Sequence, residues 1–418
     1  MLAGERGEGT AMAMRILSES ARLIGAERML DISGAHIDSS LYQGPATLEF
    51  ARRLADGGAR VRVPSTLNVA GVDENGWRGW EVPEEWASGA LAQMKAYEQM
   101  GCRPTWTCAP YQTEPRPAPG EQVAWGESSA TVFVNSVLGA RTERYPDLLD
   151  ICCAVTGRAP AAGLHLSSNR AGEVLVDLAA LPAAVFGDPA FFPVLGHWTG
   201  LEAGGSVPVF HGLDITPSED DLKALGAAMA SSGAVAMFHW PDVTPEAATL
   251  ADAFGGDATA LEAALDRPLR PTAADLSGAR DALGSPGAGA PGEIDMVVLG
   301  SPHFSLAEFG ALAELARGKR RHPEVRLLVT TGRAVAQLAR LNGTLAVARD
   351  FGAEITVDTC ILTSPMLPDE IRTIMTNSAK YAYYAPGLLG RGVVFGGLPD
   401  CVESAVRGRV VRTGPAWV

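Results

Sequence analysis

The sequence predicts an α/β protein with mostly parallel sheets, divided into more than one domain. A chain of 418 residues is longer than a single ordinary core accommodates. Predicted helices, glycine stops and short apolar strands alternate through most of the chain, which is typical of α/β units. Three successive buried strands in the last third favour a mostly parallel sheet.

The first elements place two polar loops at strand ends. Residues 12–29 have apolar side chains at helical spacing, and MLDIS then predicts a strand that ends in a turn exposing Gly34, Ala35, His36 and Asp38. A helix from Pro45, the strand RVRVP and the polar loop PSTLN follow. Because α/β folds bind ligands at the carboxyl ends of strands, both SGAHID and PSTLN are candidate site loops.

The next helix, EEWASGALAQMKAYEQMG, is followed by a segment rich in proline around Cys108. Proline does not continue a helix, so this thiol is predicted on an irregular loop, where a metal can reach it. The sequence GESSATVFVNSVLGAR places Glu127 and Ser128 at a helix start whose backbone N–H groups are suited to an anion. A single continuous helix there would carry Arg141 about three turns on.

The second half of the chain gives the domain division. The stretch 284–292, GSPGAGAPG, lacks bulky side chains and is typical of a linker. We therefore predict an N-terminal α/β region at 1–283, itself two lobes, and a C-terminal α/β domain at 293–418.

Composition excludes several classes of protein. The net charge of −14 argues against nucleic acid or an anionic membrane as the main partner. No apolar run approaches the length of a membrane span, and the N-terminus has no signal-peptide pattern, so we expect a cytoplasmic protein. Six cysteines in this length are too few for a disulfide scaffold. They are instead core thiols, nucleophiles or metal ligands.

Three cysteines stand out from the other three. Cys108, Cys360 and Cys401 are each predicted on loops beside proline or at strand ends, far apart in sequence and without CxxC spacing. Three thiolates on a tetrahedral iron leave one position open, as Lewis-acid catalysis on a hydroxyl group requires. Cys152 and Cys153 lie in an apolar helical pattern that predicts burial, and Cys102 fits either role.

Motifs along the whole chain resemble one family. LDISGAHIDSSLY, PSTLN, TWTCAPY, GESSATVFVNSVLGARTER, LGSPHFSLAEF, DTCILTSPM, TNSAKYAYYAPG and FGGLPDCVESA together are similar to the large subunit of the aconitase X branch of the aconitase superfamily. The resemblance spans about residues 12–410. It implies an aconitase-like arrangement of α/β domains around a central iron–sulfur site.

The resemblance also implies site residues. Carried over position by position, the metal ligands are Cys108, Cys360 and Cys401, and the centre is a two-iron cluster, a four-iron cluster or a single iron. The substrate-binding positions are Gly34, Ala35, His36, Asn68, Glu127 and Ser128. Ser128 and Lys380 are the candidate catalytic residues.

A partner subunit is a further implication. Aconitases close a separate swivelling domain over the cluster, and this sequence has no segment for it, so we expect a separate small subunit that supplies the general base. The activity implied is a hydro-lyase that dehydrates a small hydroxy acid.

Three functional alternatives remain open from the sequence. One substrate is cis-3-hydroxy-L-proline, dehydrated to pyrroline-2-carboxylate, and the other is mevalonate 5-phosphate. The few cationic residues in the site motifs favour the first, because a phosphate calls for several Arg or Lys. The third alternative is a non-catalytic iron–sulfur protein.

Overall fold

The chain folds into two compact units. The computed structural model describes residues 1–285, 292–414 and 417. Unit 1 consists of Met1–Ala171 and the short segment Asp358–Met366, and unit 2 consists of Gly172–Val357 and Leu367–Val418. The chain therefore returns once to unit 1, to add the segment that contains Cys360.

Unit 1 contains five α-helices and five short strands among its described residues. The helices are α1 (Glu8–Leu23), α2 (Pro45–Asp56), α3 (Glu84–Gln99), α4 (Ser128–Ser136) and α5 (Leu149–Thr156). The strands are β1 (Met29–Asp31), β2 (Gly34–Ile37), β3 (Ser65–Leu67), β4 (Val123–Trp125) and β5 (Arg158–Pro160). Cys152 and Cys153 lie in α5, a helix buried on every side, as predicted.

A three-stranded parallel sheet organises unit 1. Its order is β3-β2-β4, and both pairings of the central strand β2 are parallel. The carboxyl ends of all three strands therefore lie at one edge of the sheet. β1 and β5 form a separate antiparallel pair.

Two local predictions in this region are wrong. Gly34, Ala35 and His36 are not an exposed turn but most of the central strand, with Ala35 and His36 buried between β3 and β4. The strand that follows α2 is not RVRVP but begins at Ser65, after Pro64. Proline has no N–H to give to a ladder, so pairing starts only beyond it.

Helix α4 is shorter than the sequence predicts. It ends at Ser136, and Arg141 lies beyond it, where it forms an isolated parallel bridge with Gln122. Helix α1 also ends early, at Leu23, where Gly25 takes a positive φ of 73°. Glycine tolerates that conformation without steric cost and stops the helix.

Unit 2 begins with a two-stranded parallel pair and a set of helices. The strands are β6 (Val174–Asp177) and β7 (Pro208–His211). The helices are α6 (Ala183–Phe186), α7 (Phe191–Ala203), α8 (Glu219–Gly233), α9 (Leu250–Ala253), α10 (Ala258–Asp266) and α11 (Ala273–Ala282).

The rest of unit 2 is a five-stranded sheet with helices. The strands are β8 (Met296–Leu299), β9 (Arg326–Thr331), β10 (Ala353–Val357), β11 (Thr373–Thr376) and β12 (Gly392–Phe395), in the order β10-β9-β8-β11-β12. The helices are α12 (Leu306–Ala316), α13 (Arg333–Leu341), α14 (Thr344–Phe351), α15 (Ala379–Leu389) and α16 (Leu398–Arg407). Every pairing is parallel, which confirms the predicted sheet type.

The predicted linker at 284–292 falls mainly outside the described residues, which omit 286–291. Gly284 bridges Val394 in antiparallel fashion, and Ser285 N donates to Val393 O, so the start of this stretch lies along β12. The division into 1–283 and 293–418 stays a prediction. Among the described residues, no helix is both long and apolar enough to span a bilayer.

Candidate active site

Six predicted site residues meet at the sheet of unit 1. Gly34, Ala35 and His36 form the central strand itself. Asn68 directly follows β3, and Glu127 and Ser128 directly follow β4. The parallel arrangement thus brings residues that are distant in sequence into one sheet. Asn68, Glu127 and Ser128 lie at the carboxyl edge of this sheet, where α/β folds bind ligands, whereas Gly34 begins β2 at the amino edge.

His36 lies at the centre of this group and is fully buried. Its Nδ1 is 2.8 Å from Thr66 Oγ1, and its ring is 5.6 Å from the ring of Trp125. Burial lowers the pKa of His36 to about 4, although the Glu127 carboxylate and the Thr107 backbone act in the opposite direction. The imidazole is therefore neutral at pH 7. Its Nε2 makes no hydrogen bond to any described residue.

Asn68 carries a second unsatisfied group. The side chain is buried, and its Nδ2 donates to Asp38 Oδ1. Its Oδ1 finds no hydrogen-bond partner in the described part of the chain. A buried polar atom without a partner costs roughly 1–3 kcal/mol, so such atoms in a site indicate where a ligand binds.

Glu127 and Ser128 define the start of α4. The Glu127 carboxylate accepts a hydrogen bond from Ala130 N at 2.6 Å, and Ser128 Oγ donates to Glu127 Oε1 at 3.3 Å. The sequence predicts an N–H group open to an anion here. The chain instead fills that position with its own buried carboxylate.

Two cysteines flank the segment that follows β3. Thr107 N donates to Leu67 O at 3.2 Å, and Cys108 is the next residue. Ala70 N donates to Asp358 O at 2.7 Å, Ala70 bridges Thr359, and Cys360 is the next residue. Asn68 lies between these two attachment points. Both cysteines are half-buried and lie on irregular backbone, as predicted.

The third predicted ligand has a different environment. Cys401 is not on a loop but inside α16, fully buried in the apolar core of unit 2. Pro399 in the first turn favours a helix start here and explains the difference from the prediction. Burial raises the pKa of the Cys401 thiol, and the adjacent Asp400 carboxylate raises it further.

The thiols fit an iron centre in part. None of the six cysteines is in a disulfide bond, and thiolates suit iron and iron–sulfur groups. Cys108 and Cys360 fit by position, since both border the same segment of unit 1. Among the described residues, no three His, Cys, Asp or Glu side chains form a group that holds a metal. A bound metal deprotonates a coordinating thiol outright, so the raised pKa of the Cys401 thiol does not test whether Cys401 is the third ligand. That role stays a prediction.

Lys380 lies in unit 2, where it borders a cavity. It is the second residue of α15, whose N-cap is Ser378. The cavity has a volume of about 160 Å³. Its lining includes Lys380, Ser378, Asn377, Lys223 and Glu308. The catalytic role predicted for Lys380 stays a prediction.

A second cavity, of about 220 Å³, borders the sheet of unit 1. Gly34 and Ala35 line it. Two arginines and two glutamates that lie outside the predicted site residues also line it, namely Arg103, Arg116, Glu114 and Glu121. Arg103 is paired with Glu114. The two cations are therefore balanced by two carboxylates.

Asp38 and Asp150 are further residues that the site motifs alone do not assign. Asp38 follows β2 directly, and Asp150 is a buried carboxylate inside α5. The signal for Asp150 is a single acid in the otherwise apolar run LLDICCAV.

Comparison with known proteins identifies the family. The profiles of the aconitase X first, second and third domains match residues 1–168, 172–267 and 294–407. The chain belongs to the aconitase X family. A crystal structure of Thermococcus kodakaraensis aconitase X in its holo-form is 34% identical, has a TM-score of 0.82, and the match covers 97% of both chains.

Aconitase X relatives with two enzyme names are similar to this chain. Cis-3-hydroxy-L-proline dehydratases from Pseudomonas aeruginosa and Hypocrea jecorina are 49% and 46% identical over all of this chain and 70% and 69% of their own lengths. A phosphomevalonate dehydratase large subunit from Methanothermobacter thermautotrophicus is 37% identical over 94% of each chain. Both names are those of dehydratases, which confirms the predicted class of hydro-lyase.

Proposed function

We propose that this aconitase X chain is the large subunit of an iron-dependent dehydratase that converts cis-3-hydroxy-L-proline to pyrroline-2-carboxylate. The observation that carries the proposal is the gradient of similarity. Relatives named for hydroxyproline are 46–49% identical over the whole chain, whereas the phosphomevalonate dehydratase subunits are 30–37% identical.

In this proposal the chain's own residues bind and orient the substrate. His36 and Asn68 face it with buried acceptor atoms, and Ser128 contacts it from the N-terminus of α4, where Glu127 fixes the backbone. Cys108 and Cys360, with Cys401 as third ligand, hold the iron or iron–sulfur centre. When bound, that centre supplies a Lewis acid with an open coordination position for a hydroxyl group. Lys380 assists as a cationic group in the proposal.

A small subunit completes the proposed enzyme. Several relatives are named as large subunits, which implies a small-subunit partner in those enzymes. We place the swivelling domain and the general base that removes the substrate proton on such a partner. The cytoplasm is the proposed location.

The test is a direct comparison of substrates. The chain is purified without oxygen, mixed with its small subunit, and assayed for dehydration of cis-3-hydroxy-L-proline and of mevalonate 5-phosphate. We expect turnover of the first compound only. Turnover of mevalonate 5-phosphate alone would move the protein to the second function, and iron binding without turnover of either would favour a non-catalytic role.

A further inference from the structure

The turn that follows the central strand of unit 1 is held by an unusual number of buried polar groups. Asp150 Oδ2 accepts from Asp38 N at 2.5 Å and from Ser39 N at 3.1 Å, and Asp150 Oδ1 accepts from Ser39 Oγ and from Ile151 N. Tyr97 Oη donates to Ser39 O at 2.7 Å. Asp150, Ser39 and Tyr97 are buried and Asp38 is half-buried, so the turn is held mainly by interior groups of the unit.

Close packing on the other side leaves the turn no freedom. A Cβ on Gly126 would lie 2.6 Å from Asp150 Oδ2 and 3.1 Å from Asp38 Cβ. Only glycine fits there without a shift of these residues. The turn therefore presents Asp38 at a fixed place beside Asn68.

The chemistry of the Asp38 contact fixes the orientation of the Asn68 amide. An ionised carboxylate only accepts hydrogen bonds, so the amide must turn its Nδ2 toward Asp38 Oδ1. Asn68 Oδ1 then points elsewhere, as a buried acceptor without a partner among the described residues. Asp38 thus determines that Asn68 offers an oxygen, not a nitrogen, to a ligand.

His36 adds a second acceptor of the same kind. Thr66 Oγ1 donates to Ala35 O at 3.4 Å, so the Thr66 hydroxyl accepts from His36 in the tautomer that carries the proton on Nδ1. In that tautomer the lone pair of the ring lies on Nε2, which has no partner among the described residues. Two buried acceptors and a nearby carboxylate suit a ligand with at least two donors and a positive charge.

We propose that Asp38, which lies in the SGAHID loop but to which neither the resemblance nor the relatives' names assign a role, makes this site selective for a substrate that carries an ammonium group, and that Asp150 positions it. The inference rests on the proposed function. The ring of cis-3-hydroxy-L-proline supplies two N–H donors with a positive charge and one hydroxyl donor, whereas mevalonate 5-phosphate supplies one hydroxyl donor and only acceptors besides. Asn68 Oδ1 and Asp38 bind the ring ammonium, and His36 Nε2 accepts from the hydroxyl.

The experiment compares two small probes on the full chain by calorimetric titration. L-Proline carries the ring ammonium, and cyclopentanecarboxylate is the same ring without it. We expect the unmodified chain to bind L-proline about tenfold more tightly than cyclopentanecarboxylate, the ratio that corresponds to roughly 1.4 kcal/mol. Asp38→Asn, which keeps the shape and removes the charge, should abolish that ratio and leave cyclopentanecarboxylate binding within about twofold. Asp56→Asn, an exposed residue at the end of α2, is the control and should keep the ratio.

The positioning role of Asp150 has a separate readout. Ser39→Ala removes one donor to Asp150 without touching Asp38, and it should reduce the preference for L-proline while the chain stays folded by circular dichroism. Equal weakening of both probes by Asp38→Asn, or no preference in the unmodified chain, would overturn the inference. If the assembled enzyme dehydrates cis-3-hydroxy-L-proline and the Asp38→Asn chain still prefers L-proline, the inference fails and the proposed function stands. If the assembled enzyme has no such activity, the proposed function fails, and the comparison of L-proline with cyclopentanecarboxylate still decides whether Asp38 selects an ammonium group.

Discussion

Trp106 and Asp358 both have a positive φ, and each lies two residues before a cysteine. Their φ angles are 45° and 66°, and both residues are fully buried. Each is followed by a buried threonine and then by Cys108 or Cys360. A bulky residue at positive φ costs about 1–2 kcal/mol, and such strain persists where the surrounding structure enforces it, which is often at functional sites.

The first prediction concerns this strained position. Aspartate and asparagine tolerate positive φ, whereas a β-branched residue does not. Asp358→Val should therefore pull Thr359 away from Ala70, displace Cys360, and lower the iron bound per chain at least threefold, with a loss of about 2 kcal/mol in the free energy of unfolding. Asp358→Asn is the matched control and should keep most of the iron. Iron assay of both anaerobically purified variants decides it, and equal iron in the two would show that the conformation does not place Cys360.

The second prediction tests the three ligands one at a time. Serine replaces a soft thiolate with a poorly coordinating hydroxyl, so Cys108→Ser and Cys360→Ser should each lose most of the bound iron and reduce dehydratase activity by at least a hundredfold. Cys401→Ser should do the same, and retention of iron and activity in this variant would show that the buried thiol is not the third ligand. Cys152→Ala, in the buried helix α5, is the control for a cysteine with no ligand role. A Cys360→Ser enzyme without colour but with full activity would refute the Lewis-acid mechanism.

Local signals in the sequence were sufficient for some of these residues and not for others. The start of α4 at Ser128 follows from the polar residues before an apolar run, because capping involves neighbours in the chain. The strand position of His36 does not, because Gly34 reads as a turn unless β3 and β4 are known to lie on both sides. The approach of Asp358 to Ala70 across almost 290 residues leaves no local signal at all.

The third prediction concerns the pH dependence of stability through His165. Its Nδ1 is 2.6 Å from Gln122 Oε1, and Tyr145 Oη donates to its Nε2. Burial, together with the charges of Arg170 and Arg141, lowers the pKa of His165 to about 4. The unfolded histidine titrates near 6.5, so the unfolded chain binds more protons between pH 6.5 and about 4. Stability is therefore full above pH 6.5 and falls as the pH drops through that window.

The measurement is urea unfolding of the full chain at pH 7.5 and pH 5, followed by circular dichroism. His165→Gln removes the titrating group and keeps hydrogen-bonding capacity. Between pH 7.5 and pH 5, the free energy of unfolding should therefore fall by about 1–2 kcal/mol less in the variant than in the unmodified chain. His36 and His197, whose pKa values burial also lowers to about 4, act equally in both proteins. An identical pH dependence in the two proteins would contradict the assignment.

The fourth prediction concerns the buried ammonium in unit 2. The side chain of Lys223 is 3% exposed and pairs with Asp220 Oδ1 at 2.7 Å and with Glu308 Oε2 at the N-terminus of α12. Burial alone would lower the pKa of Lys223, but the carboxylates of Glu308 and Asp220 outweigh it and raise it, so the group stays charged. Lys223→Met leaves two carboxylates facing each other beside a cavity, and the free energy of unfolding should fall by about 3 kcal/mol. Lys319→Met is the control, because the Lys319 side chain is 42% exposed and pairs with Glu403 at 3.6 Å, where loss of an ion pair costs under about 1 kcal/mol. Urea unfolding of both variants measures the difference, and a loss for Lys223→Met no larger than for the control would mean that water screens the buried pair as fully as the exposed one.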